Sequence, residues 1–284
     1  MPIAFHKELR QLVRAKKIVS VLPQRAQGRV AKMLYDYESA GINGIDLVAP
    51  LQQEGLVCFI NSKDLIGWKI FFFGEYEADT NTVLAKYIKE GDVVIEAGAN
   101  IGSETALIAR LAGNGHVHCF EPNPYTYERL KINIAINELG NVSAYDCALG
   151  ESDSTIAFNI YPKGFCNPGM SSKYMETAQT RKINVVQKTL DSFAAENKIE
   201  KVDFLKMDIQ GAEMDMIIGA GGTISKCKPV IFTEACAPYN NTGQLYEKLS
   251  AYGYSIYLIA GKTTSFMQSV AEIRDGNWLA IPRK

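Results

Sequence analysis

Hydrophobic residues fall into two kinds of run along this chain. Short β-branched or aromatic runs alternate with longer stretches whose apolar residues recur every three or four positions. The first pattern suits buried strands and the second amphipathic helices. From residue 93 onward the order reads strand 93–96, helix 102–112, strand 116–120, helix 125–138, strand 142–147. Alternation at this spacing predicts a parallel sheet with helices on both faces. The rhythm breaks over 150–190, where 154–160 and 182–188 read as strands around an irregular stretch. It resumes with helix 190–197, strand 202–207, helix 212–221, strand 229–234, helix 242–252 and strand 254–259. A last strand near 278–281, reached through 261–276, predicts an antiparallel end to the sheet.

The N-terminal part reads differently. A basic amphipathic helix spans 4–22 and is stopped by Pro23, and a second covers 27–39. Residues 56–61 and 68–73 read as a β-hairpin filled with aromatics. Asp79 or Thr80 can cap a helix running to Lys89. The expected organisation is an accessory helical and hairpin region over 1–75 and a larger α/β domain over 76–284.

The chemistry concentrates where strands end. Val93-Val94-Ile95-Glu96-Ala97-Gly98-Ala99-Asn100-Ile101-Gly102 is a strand, a glycine-rich turn and a helix start. Such a turn at the carboxyl end of a parallel sheet is a place for nucleotide-like ligands. A dinucleotide turn needs Gly-x-Gly-x-x-Gly; here Asn100 stands in place of the second glycine and Glu96 precedes Gly98. An acid opposes a pyrophosphate and suits the ammonium and sulfonium of S-adenosylmethionine, directly or through water. Glu121 closes the next strand about 20 residues on, placed for ribose hydroxyls. Asp208 and Glu234 end two further strands. Grouped like charges repel, so a cationic or hydroxyl-bearing ligand would explain the row.

At this point the residues resemble the FkbM family of S-adenosylmethionine-dependent methyltransferases. The likeness runs through Gly74-Glu75-Tyr76-Glu77, the 96–102 turn, Phe120-Glu121-Pro122, Ala148-Leu149-Gly150 and Leu205-Lys206-Met207-Asp208-Ile209-Gln210-Gly211-Ala212-Glu213, in the family's order. The last piece usually reads Lys-x-Asp-x-Glu-Gly-x-Glu; Gln210 departs from it. The resemblance covers roughly residues 70–235 and none of the first 50. It implies a Rossmann-like class I methyltransferase sheet and O-methylation of a hydroxyl on a sugar, glycan or natural product. Glu96, Gly98, Asn100, Gly102, Glu121, Ala148 and Asp208 would hold the cofactor, with Ala148 against the adenine. Asp208 is the first choice for accepting a hydroxyl proton, with Glu213 and Glu234 beside it. Glu213 also reads as a helix N-terminal acid. Asp208 and Glu234 could share a divalent metal, but no metal site is expected from so few ligands. His116 and His118 share a strand face away from its tip and read as structural. The rivals are an NAD(P)-dependent oxidoreductase and a non-catalytic adenosylmethionine-binding scaffold.

Bulk properties narrow the partners. The 284 residues carry a formal charge of −1, which gives no nucleic-acid-like character overall. Residues 1–32 hold eight Lys or Arg and one Glu, a net +7, so the remainder carries −8. The basic helix could lie on an anionic membrane, but packing on the domain or on a second subunit is the expected role. Six cysteines without Cys-x-x-Cys spacing read as reduced thiols, and no signal-like apolar segment opens the chain. A cytoplasmic small-molecule or glycan enzyme is the expectation. Residues 162–180, with their Gly, Pro and Ser, read equally as a substrate loop and as an excursion without a role.

Overall fold

The computed structural model describes residues 2–38, 44–162, 165–235, 242–261 and 263–283. They form two compact units: Met1–Tyr76 with Tyr161–Gly169, and Glu77–Ile160 with Met170–Lys284. The stretch 161–169, read from sequence as part of the larger domain, thus belongs to the first unit.

The first unit begins with helices α1 (Pro2–Ser20) and α2 (Gln24–Leu34). Leu12, Ala15 and Val19 of α1 are buried at three-and-four spacing. Pro23 stands at the N-cap of α2. Strand β1 (Asp46–Pro50) pairs antiparallel with β2 (Val57–Asn61), and helix α3 (Leu65–Phe73) follows. This corrects the hairpin expected between 56–61 and 68–73: β2 pairs with β1, and Trp68–Phe73 is helical. The aromatic run looked strand-like because it does not alternate with polar residues. It fails to alternate because α3 is enclosed, with Ile66, Trp68, Ile70, Phe71 and Phe72 all buried. Asp64 Oδ1 accepts the Ile66 N–H at 2.9 Å and starts the helix, and Gly74 at φ 82° ends it. Gly67, which read as a turn residue, is a close approach instead. A Cβ there would lie 2.2 Å from the Asn61 carbonyl oxygen. The second helix, expected over 27–39, starts earlier, at Gln24, and ends at Leu34, with 35–38 not helical; residues 39–43 lie outside the described residues.

The second unit opens with α4 (Ala78–Tyr87), β3 (Val93–Ala97), α5 (Thr105–Ala112), β4 (His116–Phe120), α6 (Pro124–Ile136) and β5 (Val142–Tyr145). A small sheet of β6 (Ala148–Leu149), β7 (Ser154–Ile160) and β8 (Arg181–Lys188) has the order β6-β8-β7. Then come α7 (Leu190–Glu196), β9 (Phe204–Met207), α8 (Glu213–Gly219), α9 (Gly221–Cys227), β10 (Val230–Ala235), α10 (Thr242–Ala251), β11 (Tyr254–Ala260), β12 (Thr263–Met267) and β13 (Gly276–Pro282). The main sheet runs β12-β11-β13-β10-β9-β3-β4-β5. Strands β10, β9, β3, β4 and β5 are parallel, and β13 is antiparallel to both β10 and β11.

Two departures mark where sequence patterning ran short. Strand β12 lies in the stretch read as a connection; four of its five residues are exposed, so it has no buried periodicity to read. The single helix expected over 212–221 is two, broken at Ala220, and Lys228 at φ 52° ends the second.

The pleat assigns alternate residues to opposite faces. Ile95, Leu205 and Ile231 join a core under α7, α8, α9 and α10; Val94, Phe204 and Phe232 join another under α4, α5 and α6. Glu96 and Lys206 therefore fall on the second face, two residues beyond Val94 and Phe204.

Candidate cofactor and active site

The turn after β3 is built around backbone that few side chains tolerate. Gly98 has φ 80°, and a Cβ on it would lie 1.9 Å from the Asp208 carbonyl oxygen. The Asp208 N–H in turn donates to Ala97 O at 3.1 Å, so the ends of β3 and β9 are sewn together. Asn100 is left-handed at φ 52°; its N–H donates to Glu121 Oε2 at 2.9 Å. Its Oδ1 is buried without a hydrogen-bond partner. Gly102, at φ 85°, lies under Leu130, whose Cδ1 would be 2.7 Å from an added Cβ. Glu121 Oε1 accepts the Asn123 N–H at 2.8 Å. Burial pushes the Glu121 carboxyl up to about 7, against the hydrogen bonds from Asn123, Thr126 and Asn100 that favour its ionised form.

Glu96 is placed differently from the rim role read in the sequence. It is fully buried; Thr105 Oγ1 donates to its Oε2 at 2.7 Å, and Lys206 Nζ lies 3.4 Å from its Oε1. Lys206 sits closer to Glu104, at 2.7 Å. Burial opposes the charge on Lys206, but Glu104 and Glu96 overrule it and hold the ammonium well above its ordinary range. Burial pushes Glu104 up to about 7, against the pull of Lys206. The repulsion argument thus loses its first acid: Lys206 answers Glu96 inside the protein. Glu104 escaped notice because it looked like ordinary first-turn helix chemistry.

Asp208 and Glu234 do meet. Gln210 Nε2 donates to Asp208 Oδ1 at 2.9 Å and to Glu234 Oε2 at 3.1 Å. Burial first, then the charge of Asp208 and a hydrogen bond with it, push Glu234 up to about 8. Burial and the neighbouring Asp208 thus both disfavour charge on Glu234, which further softens the like-charge row. The departure from the family pattern at Gln210 supplies the amide that spans the pair. Glu77, at the N-cap of α4, adds its field to both Glu104 and Glu234.

Glu213 is fully buried and accepts the N–H groups of Ile209 and Gly211, both at 3.0 Å. Its carboxylate shapes the 208–213 loop, in which Gln210 is held left-handed at φ 51°. Ser172 Oγ donates to Gln210 O at 2.7 Å, and Asn123 Nδ2 to Ser171 Oγ at 3.1 Å. Both serines lie in the stretch read as a candidate substrate loop; Ser172 ties it to the 208–213 loop and Ser171 to Asn123 at the start of α6. Ala148 lies in β6, opposite Gln187, and packs on the Phe158–Ile160–Val185 cluster of the small sheet. His116 and His118 bond Ser143 Oγ and Tyr145 OH, and burial holds His118 down at about 4. Among the described residues no group of three or more His, Cys, Asp or Glu could hold a metal ion.

A mostly parallel sheet with β13 inserted antiparallel near its edge and β12 antiparallel at that edge, and a glycine turn after its central strand, defines a class I methyltransferase fold. Residues 96–256, more than half of the chain, match the methyltransferase FkbM domain. The chain belongs to the FkbM methyltransferase family. Methyltransferase 1 of Beauveria bassiana is 30% identical over 145 residues, covering 44% of this chain and 57% of that protein. The 2-O-methyltransferase NoeI of Sinorhizobium fredii is 26% identical over 174 residues, covering 55% of this chain and 68% of its own. The hexuronic acid methyltransferase AglP of Haloferax volcanii is 26% identical over 155 residues, covering 55% of this chain and 61% of its own. The chain thus spans less than two thirds of the first and third of these relatives.

Proposed function

We propose that this protein is an S-adenosylmethionine-dependent O-methyltransferase acting on a hydroxyl of a sugar, glycan or related natural product. The observation that carries the reading is the joint formed by Gly98 against the Asp208 carbonyl, with Glu121 holding Asn100 on one side and the Asp208–Gln210–Glu234 cluster on the other. Two relatives named for 2-O-methylation and for hexuronic acid methylation support the acceptor class.

The residues fit the cofactor chemically. Backbone at Gly98 admits close approach, Glu121 offers carboxylate lone pairs to ribose hydroxyls, and the buried Asn100 Oδ1 is an acceptor without a protein donor. When bound, adenosylmethionine supplies an activated methyl group on a sulfonium. The protein's part is to orient the acceptor hydroxyl and take its proton. Asp208 is the carboxylate placed for that, and Gln210 fixes its orientation. Burial and Asp208 itself disfavour charge on Glu234 beside it, which limits the crowding of negative charge at the same spot. Glu213 keeps the loop in shape without touching the chemistry, and Lys206 with Glu96 and Glu104 braces the sheet beneath it.

The test is calorimetric titration with adenosylhomocysteine and with NAD in parallel, followed by methyl incorporation into uronic-acid glycans. Binding of adenosylhomocysteine that weakens in Glu121→Ala, with methyl counts on a hydroxyl, is the expected outcome. Retention of NAD instead would make the protein an oxidoreductase. Binding without transfer to any acceptor would make it a scaffold.

A further inference from the structure

The first unit carries a surface unrelated to the candidate site. Along α1, Lys7, Arg10, Gln11, Arg14 and Ile18 fall at three-and-four spacing, beside the stripe of buried Leu12, Ala15 and Val19. With Ala15 and with Leu34 of α2 these side chains line a groove of about 560 Å³. No acid lines it. Glu8, the single acid among residues 1–32, is turned aside: its Oε1 accepts the hydroxyl of buried Tyr35 at 2.8 Å.

The same surface exposes apolar side chains that a solvated charged face does not need. Ile18 is about half exposed, and Val21, just past the end of α1, is 80% exposed. One helix turn separates Ile18 from Arg14, and Val21 follows Ile18 by three residues. Cations alone would suit any polyanion. Cations beside protruding aliphatic side chains suit a surface with anionic phosphates above hydrocarbon. No helix among the described residues is long and apolar enough to cross a membrane, so this would be contact with a surface and not a span.

We propose that the α1–α2 face is a peripheral docking surface for anionic phospholipid bilayers. Lys7, Arg10 and Arg14 meet the headgroup phosphates, and Ile18 and Val21 enter the interface. This reverses the preference drawn from sequence, which could not show that the apolar residues between the cations stand out from the fold. Attraction of this kind adds on the order of fivefold in binding per cation at the surface and weakens with salt.

The experiment is co-sedimentation of the full chain with vesicles of phosphatidylcholine alone or mixed with phosphatidylglycerol. Wild type is expected to sediment with the mixed vesicles only, and less so at high salt. Arg10→Glu with Arg14→Glu is expected to lower binding at least about tenfold, and Ile18→Asp with Val21→Asp to lower it severalfold. All four positions are exposed, and unchanged thermal unfolding of each variant checks that folding is intact. No binding to mixed vesicles, equal binding to neutral ones, or binding untouched by either pair of substitutions overturns the proposal. Displacement from mixed vesicles by single-stranded RNA would also overturn it, because the surface would then serve nucleic acid.

Discussion

At residue scale, the site depends on positions where one chemical feature decides. Gly98→Ala places a Cβ into the Asp208 carbonyl and forces a left-handed backbone on a residue that resists it. The expected loss is about 2 kcal/mol or more of unfolding free energy, with weaker adenosylhomocysteine binding. A stable variant of unchanged affinity would mean that the β3 and β9 loops need not touch. Lys206→Met leaves Glu96 and Glu104 without their cation; the expected cost is about 3–5 kcal/mol by denaturant unfolding. Adding Glu96→Gln and Glu104→Gln should recover part of it. Gln210→Glu restores the usual family residue but removes the amide from between two carboxyls and adds a third carboxyl. The acidic limb of the pH–rate profile should then move to higher pH, and an unmoved limb would sever Gln210 from the chemistry.

Residue types at the rim were legible because strand ends and glycine turns leave a strong local pattern. Their pairings were not. Whether Glu96 faces a ligand or Lys206 depends on β3 and β9 being neighbours, and the two residues are 110 positions apart in the chain while adjacent in register. Gln210 read as a lost acid because its amide becomes meaningful only when Asp208 and Glu234 stand on either side.

At element scale, the parallel core was visible from period and spacing, and five of its strands fall within two residues of their expected limits. The pattern failed where burial is complete or nearly absent. Helix α3 is enclosed and shows no polar face; β12 is exposed and shows no apolar one. Capping was the signal that could have rescued α3, since Asp64 precedes it and Gly74 follows it. Asp64→Ala should lower stability by about 1 kcal/mol, measured by chemical denaturation. No change would mean that the cap is redundant with the packing of Trp68, whose Nε1 donates to Tyr35 O at 2.8 Å.

At the scale of the whole molecule, the buried acids link folding to pH. Glu104 and Glu121 are raised from 4.5 to about 7, and Glu234 from 4.5 to about 8. A folded value above the unfolded one means that the folded state holds its protons more tightly. The stability these groups contribute is thus present below about 4.5 and is lost as pH rises through about 7 to 8. The melting temperature of the unliganded protein should fall across that window. Bound cation should oppose the fall, because the ionised carboxyls then have a partner.

The same linkage gives the sharpest test of the adenosyl sulfonium assignment. Titration of adenosylmethionine near pH 7 in two buffers of different ionisation enthalpy measures the protons exchanged on binding. The Glu121 carboxyl, pushed up to about 7, should release protons to the buffer as ribose hydroxyls donate to its ionised form, and Glu121→Ala should remove that release. Binding of adenosylmethionine with no proton release, or binding of NAD in its place, would contradict the account.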